Sequence, residues 1–460
     1  MKIIFISLDT LRANRLGCYG YQLPTSPYID EIANQGVLFE SAFASDIPTE
    51  VAHTSIFTGK VGLSTGVVSH GSSLTYLPKE VDWLPTILRN AGYTTAAVDN
   101  LYNLKEWFAR GYHYYINTVG KTRWIDGKTI NSLAKPWIKE HKDKDFFLFL
   151  HYWDPHTPYL PPKDYIPAFY DSNKNQYDPN NKSMERAFNH PAYPFFKYHH
   201  YDLLGNITDS NYVNALYDAE IRYLDDLLKE LDEYLNELGI KDETMLVLFG
   251  DHGESLTEHD IYWDHCGLYD QTVHIPLIIR WPNGIPAGKR IQNLVQHADL
   301  MPTILEALNL EIPPGLDGKS LLPLIDGSKQ VHHTQVFLSE CAWQAARGIR
   351  TAKYKYIETY DSGPFTRPPA ELYDLIEDPN EEINLIESLP DQASAFQQQL
   401  IDWVNEKIQS QEDPMKYVLR EHGLPFKRRI EKVLSEYGLN WDDWKANPKR
   451  ERIDLATRKA

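Results

Sequence analysis

Apolar positions fall along this chain in short runs separated by stretches of helical period. Residues 3–8 (IIFISL), 94–98 (TTAAV), 146–153 (FFLFLHYW) and 245–249 (MLVLF) are mostly apolar and too short for helices. They read as strands buried on both faces, as in a parallel sheet. Between them, 26–35, 83–90, 135–144, 211–238 and 299–308 read as helices, and 54–57 belongs to another. Gly36 and Gly92 supply the first two stops. A further strand is expected over 274–281. This βαβα order predicts an α/β fold whose large, mostly parallel central sheet is flanked by helices on both faces.

Near Gln335 the pattern changes. Segments 336–339 and 353–359 predict a smaller antiparallel sheet, followed by a helix over 392–408. The expected organisation is a catalytic domain over 1–330, an α+β subdomain over 331–411 and a charged helical tail over 412–460. Residues 163–209, rich in Tyr, Asn, His and Pro without a period, read as an irregular insertion lying over the site.

Composition removes several classes. A net charge of −18 with no basic stripe argues against nucleic acid. Cys18, Cys266 and Cys341 are scattered and odd in number, so no disulfide framework is expected. No apolar run is long enough to span a bilayer or form a signal-peptide core. A soluble cytoplasmic protein is the simplest expectation.

The chemistry gathers at strand ends, where ligands of open α/β sheets sit. The first strand ends in Asp9-Thr10, and the run 245–249 breaks at Gly250 into Asp251-His252. Two acidic strand ends, one beside an imidazole, point to a metal. Glu254, Glu258 and His259 read as a solvated acidic loop, with Asp264 and His265 closing the same loop.

Taken together, SLDTLRANRLGCYGY, HTSIFTG, HYWDPHTPY, FGDHGESLTEH and LYDQTVHIPLIIRWP resemble the motifs of the sulfatase family within the alkaline phosphatase superfamily. The resemblance runs from Lys2 to about Val404 and implies an alkaline phosphatase-like fold. The departures carry the functional argument. Sulfatases begin a C/S-x-P-x-R pattern ten residues before the Gly of the TG pair; here that position is Thr49, with Val51 for Pro and His53 for Arg. Sulfatases oxidise their Cys or Ser to an aldehyde, whose gem-diol expels sulfate. The methyl on a threonine Cβ blocks that oxidation, so an ester on Thr49 has to be hydrolysed instead. Pro48 read as the motif proline would put Asp46 in the nucleophile slot; spacing favours Thr49.

The resemblance implies Asp9, Asp251 and His252 around one divalent cation, with Thr49 as nucleophile and fourth ligand. Thr10 stands where sulfatases carry a second Asp, and His265 where they carry a Lys. The mixed oxygen and nitrogen set favours Mn²⁺ or Zn²⁺ over Ca²⁺. His53, His156 and His265 are candidate catalytic groups, and a less positive site suggests a less negative substrate. An alternative gives Asp154, His156 and His265 a second metal. Tyr102 and Asn103 are candidates for the pocket wall, and His70 for its rim. The expected function is hydrolysis of a phosphodiester or phosphonate monoester through phospho-Thr49. The alternatives are a sulfate ester hydrolase lacking the aldehyde and an inactive binding protein. Trp441 and Trp444 need covering, and a tail reaching a neighbouring subunit of a homo-oligomer is one way to cover them.

Overall fold

The strand Lys2–Leu8, buried along its whole length, lies at the middle of a nine-stranded sheet. The structure, a computed structural model, describes residues 1–117 and 125–457. Lys2–Leu8 runs parallel to Phe146–Tyr152 on one side and to Thr244–Gly250 on the other. Leu8 pairs with both Tyr152 and Gly250, so three strands end at one level. Thr94–Val98 and Tyr114–Ile116 continue the parallel set.

The other half departs from the expectation of one strand over 274–281. Pro276 has no N–H to give a ladder, and the segment splits into His274–Ile275 and Leu277–Arg280. Both pair antiparallel with Val37–Phe43, and Leu277–Arg280 also pairs antiparallel with Thr244–Gly250. Val37–Phe43 and its parallel neighbour Lys289–Gln296 were not expected as strands. Their mixed burial breaks the apolar run that marks the central strands.

The longest helix, Ser210–Glu237, is capped by Asp209, whose side chain accepts from Asn211 N. Its buried Leu224, Leu228, Leu231 and Leu235 recur at helical spacing. Asp225 on the same helix accepts from the backbone N–H groups of Tyr28 and Ile29, which locks the first turn of Pro27–Asn34 against it.

The second sheet runs Ala370–Asp374, Tyr354–Asp361, Ala345–Thr351, Gln335–Cys341, all antiparallel. Its last strand is Asp46–Ile47, paired parallel with Gln335–Cys341. The residues just before Thr49 therefore belong to this sheet, not the central one.

The tail forms four helices, from Pro414–Glu421 to Arg450–Thr457; residues 458–460 lie outside the described set. It packs on its own chain. Phe426, Ile430, Leu434 and Trp444 join the main core, and the Trp444 indole N–H donates to Pro191 O at 2.8 Å. Trp441 is partly buried against the same core. Intramolecular packing thus covers the tryptophans that had motivated an oligomer. In the insertion, Tyr193–His199 carries the buried Tyr193 and Phe196.

Candidate active site

The common strand ending sets the site. One residue past it, Asp9 and Asp251 emerge side by side, and Asp9 N donates to Tyr152 O at 2.9 Å. His252 Nε2 lies 3.3 Å from Asp251 Oδ2, 3.8 Å from Asp9 Oδ1 and 3.2 Å from Thr49 Oγ1. His252 Nδ1 is 3.0 Å from Gly253 O. That contact places the ring proton on Nδ1 and leaves the Nε2 lone pair facing the carboxylates. Among the described residues, Asp9 Oδ1 and Asp251 Oδ2 are buried without a hydrogen-bond partner, a costly state for carboxylates unless a cation joins them. Burial works against the Asp9 charge, but His156, His151 and His252 outweigh it and hold the pKa at about 2. Asp251 is pushed up to about 7 by burial and by the charge on Asp9. Two carboxylates, an imidazole and a hydroxyl converging this way fit a divalent cation, and Asp9, Asp251 and His252 are close enough to share one.

Thr49 opens the helix Thr49–Thr58 after Pro48, with its side chain at the wall of a cavity. Asp46, the rival nucleophile, is committed elsewhere: Oδ2 accepts from Ser55 Oγ and Gly62 N. His53 is fully buried one turn on. Its Nδ1 is 2.8 Å from Thr49 O and its Nε2 2.9 Å from Ser7 Oγ. Burial drives its pKa well below the usual imidazole value, so it stands as a neutral positioning group. Thr10 sits at the strained φ of 58°, rare for a β-branched residue. Its N–H donates to Asp251 Oδ1 at 3.2 Å.

Two participants were not foreseen. His151 bridges Asp9 Oδ2 at 3.1 Å and Asp99 Oδ1 at 3.0 Å. Burial opposes its charge, but hydrogen bonds to both carboxylates prevail and raise its pKa to about 10. Asp99 follows directly on Thr94–Val98, as Asp9 and Asp251 follow their strands. Among the described residues, His53, His151 and Asp251 form another group compact enough for an ion, as do Asp299, His332 and His333; the alternative second-metal set of Asp154, His156 and His265 is not among these groups. Asp154 turns its carboxylate to Gly127 N at 2.9 Å, at the start of helix Gly127–His141.

A cavity of about 420 Å³ opens from this cluster, lined by Thr49, His70, His156, Asp264 and His265 together with aromatic side chains. The rings of His156 and His265 lie 4.8 Å apart, and His265 stacks 4.8 Å from His252. The turn Leu101–Asn103 leaves Tyr102 half exposed, and Leu104 lines the cavity instead of Tyr102 or Asn103. The loop after Asp251 is not solvated as expected. Glu254 is fully buried and accepts from Tyr159 OH at 2.6 Å. Glu258 pairs with Arg12 at 2.9 Å, and His259 stacks on Tyr269.

Comparison with known proteins gives a consistent set of likenesses. The family model described as Sulfatase matches residues 2–310, and that of the N-sulphoglucosamine sulphohydrolase C-terminal region matches 257–410. An N-acetylglucosamine-6-O-sulfatase of Bacteroides thetaiotaomicron is 24% identical, over 84% of this chain and 82% of its own. Arylsulfatase K of Rattus norvegicus is 25% identical, over 98% of this chain and 86% of its own. Among solved structures, one in complex with its substrate D-glucosamine-2-N,6-O-disulfate superposes with a TM-score of 0.72 at 19% identity, covering 90% of this chain and 99% of that one. The phosphonate monoester hydrolase of Agrobacterium radiobacter gives 0.70 at 20% identity, covering 88% and 96%.

Proposed function

The chain belongs to the sulfatase family, and on that premise we propose that it hydrolyses sulfate monoesters without an aldehyde cofactor, using Thr49 as its nucleophile. This corrects the expectation of a phosphodiester or phosphonate substrate. The sequence relatives are sulfatases, whereas the phosphonate hydrolases at 20% identity speak for the fold alone. The physical error lay in the charge argument. A sulfate monoester carries one negative charge, as a phosphodiester does, so imidazoles in place of Arg and Lys suit both equally.

The observation that carries the reading is the convergence of Thr49 Oγ1 with Asp9, Asp251 and His252 at the wall of a cavity. A divalent cation held by Asp9, Asp251, His252 and Thr49 would polarise the sulfuryl oxygen and favour the Thr49 alkoxide. We favour Mn²⁺ or Zn²⁺ for this oxygen–nitrogen set. Thr49 Oγ1 attacks sulfur, the S–O bond to the alcohol breaks, and His156 or His265 gives the departing oxygen its proton. The same imidazole then takes a proton from water, which displaces Thr49 and releases sulfate. His151, clamped between Asp99 and Asp9, positions Asp9.

The test is sulfate release, followed by ion chromatography, against turnover of a phosphodiester by the same preparation. The reading expects the sulfate ester to be the better substrate and an unmodified Thr49 by mass spectrometry. A preference for the phosphodiester would overturn it.

A further inference from the structure

We propose that the alcohol half of the substrate is an apolar ring system rather than a charged sugar, held by an aromatic wall that three distant parts of the chain build beside Thr49. The proposal rests on the sulfate-ester reading and names the class of ester. Phe195 and Phe196 come from the insertion helix Tyr193–His199, Trp343 from the turn between Gln335–Cys341 and Ala345–Thr351, and Phe426 from the tail helix Pro425–Glu436. All four line the cavity that Thr49, His156 and His265 share.

The rings brace one another. Trp343 stacks with Phe426 at 4.5 Å and with Phe196 at 5.4 Å, each at 18°. Phe195 meets Trp343 and Phe426 edge-on at 5.2 and 5.6 Å. Such a slab is preorganised, since no ring must be ordered when a ligand arrives. Sugar recognition asks for something different. Every hydroxyl, carboxylate or second sulfate that is buried needs its own donor or acceptor. None of the described residues lining this cavity is a lysine or arginine, and Asp264 adds a carboxyl group. Imidazoles and hydroxyls also line the cavity, but the four-ring wall offers a polyanionic sugar no fixed cation, whereas a fused or single apolar ring would find offset and edge contacts along it. The volume, about 420 Å³, accommodates a bicyclic ring with its sulfate.

The test compares two esters of primary alcohols, 2-naphthylmethyl sulfate and glucosamine 6-sulfate, with each rate corrected for uncatalysed hydrolysis, since the benzylic ester also solvolyses by C–O cleavage. The metal-replete enzyme should show kcat/KM about a hundredfold higher for the naphthylmethyl ester. Phe426→Ser and Phe195→Ser should raise KM for that ester about tenfold, and should lower its kcat/KM by a larger factor than that of the sugar ester. Phe426→Leu keeps the apolar packing and should show a smaller effect in the same direction. Equal or better turnover of the sugar sulfate overturns the proposal while leaving the sulfate-ester reading intact. If neither ester turns over, that reading falls. Calorimetry with 2-naphthylmethylsulfonate and Thr49→Ala then decides the wall by itself. Saturable binding weakened by Phe426→Ser upholds it, and absence of binding refutes it.

Discussion

Thr49 differs from the Ser of the family pattern by one methyl group, and that methyl forbids the aldehyde route. If Thr49 Oγ1 attacks sulfur, Thr49→Ala should lose at least about a thousandfold in kcat while keeping fold and metal. Thr49→Ser should retain most turnover, because the hydroxyl survives. Stopped activity assays with metal analysis on the same samples check both, and near-normal turnover in the Ala variant would point to direct attack by water. The orphaned oxygens of Asp9 and Asp251 make the second residue-scale claim. Asp251→Asn should lower bound metal measured by mass spectrometry, whereas His156→Ala should leave it unchanged and lower kcat. Chelation should abolish sulfate release, and Mn²⁺ or Zn²⁺ should restore it better than Ca²⁺. Full activity after exhaustive chelation would remove this mechanism.

At the scale of elements, the site is a row of strand ends, and the row explains what the sequence disclosed. Asp9 and Asp251 stand out because each follows an apolar run that stops abruptly. Asp99 follows 94–98 in the same way, but local periodicity does not say which strands are neighbours. Only the order Thr94–Val98, Phe146–Tyr152, Lys2–Leu8 puts Asp99 within reach of His151 and His151 within reach of Asp9. His151 was further hidden inside a strand run that continues apolar through Trp153. Glu254 was misread for a related reason: two acids and a histidine in a loop resemble a solvated turn until Tyr159 and Arg12 arrive from distant segments. The Arg12–Glu258 pair ties the loop after the first strand to the loop after Thr244–Gly250. Burial pushes the Glu258 carboxyl up, but Arg12 prevails and holds it at about 2, against an ordinary 4.5. A depressed folded value means the stabilisation is complete above pH 4.5 and is lost as the pH falls towards 2. The urea midpoint should therefore drop on acidification through that window, and less steeply in Glu258→Gln. An unchanged slope would show that the pair contributes nothing to folding.

For the whole molecule, the tail is the element whose placement matters most. Arg347 Nη1 and Nη2 each reach an Asp413 oxygen at 2.6 Å, with both side chains nearly inaccessible. Asp413 also accepts from Met415 N at 2.9 Å, capping the first tail helix. Removing one partner of such a pair leaves a buried charge, at a cost of about 3–5 kcal/mol. Asp413→Ala should lose stability of that order in urea unfolding, and a loss below about 1 kcal/mol would mean the tail docks without it. A chain ending at Gln411 should lose Phe426 from the cavity and bind apolar ligands more weakly. If light scattering gives the same number of subunits for this truncation and the full chain, the tail plays no part in assembly.

The short strand Asp46–Ile47 also has a consequence for how the protein is made. The segment that leads into Thr49 pairs with Ser339 and Glu340, about 290 residues later in the chain. At ordinary ribosomal speeds that is a wait on the order of 15–60 s during synthesis. The Thr49 helix therefore leaves the ribosome early without the sheet that will anchor it, and the candidate active site is one of the last parts of the molecule to be assembled.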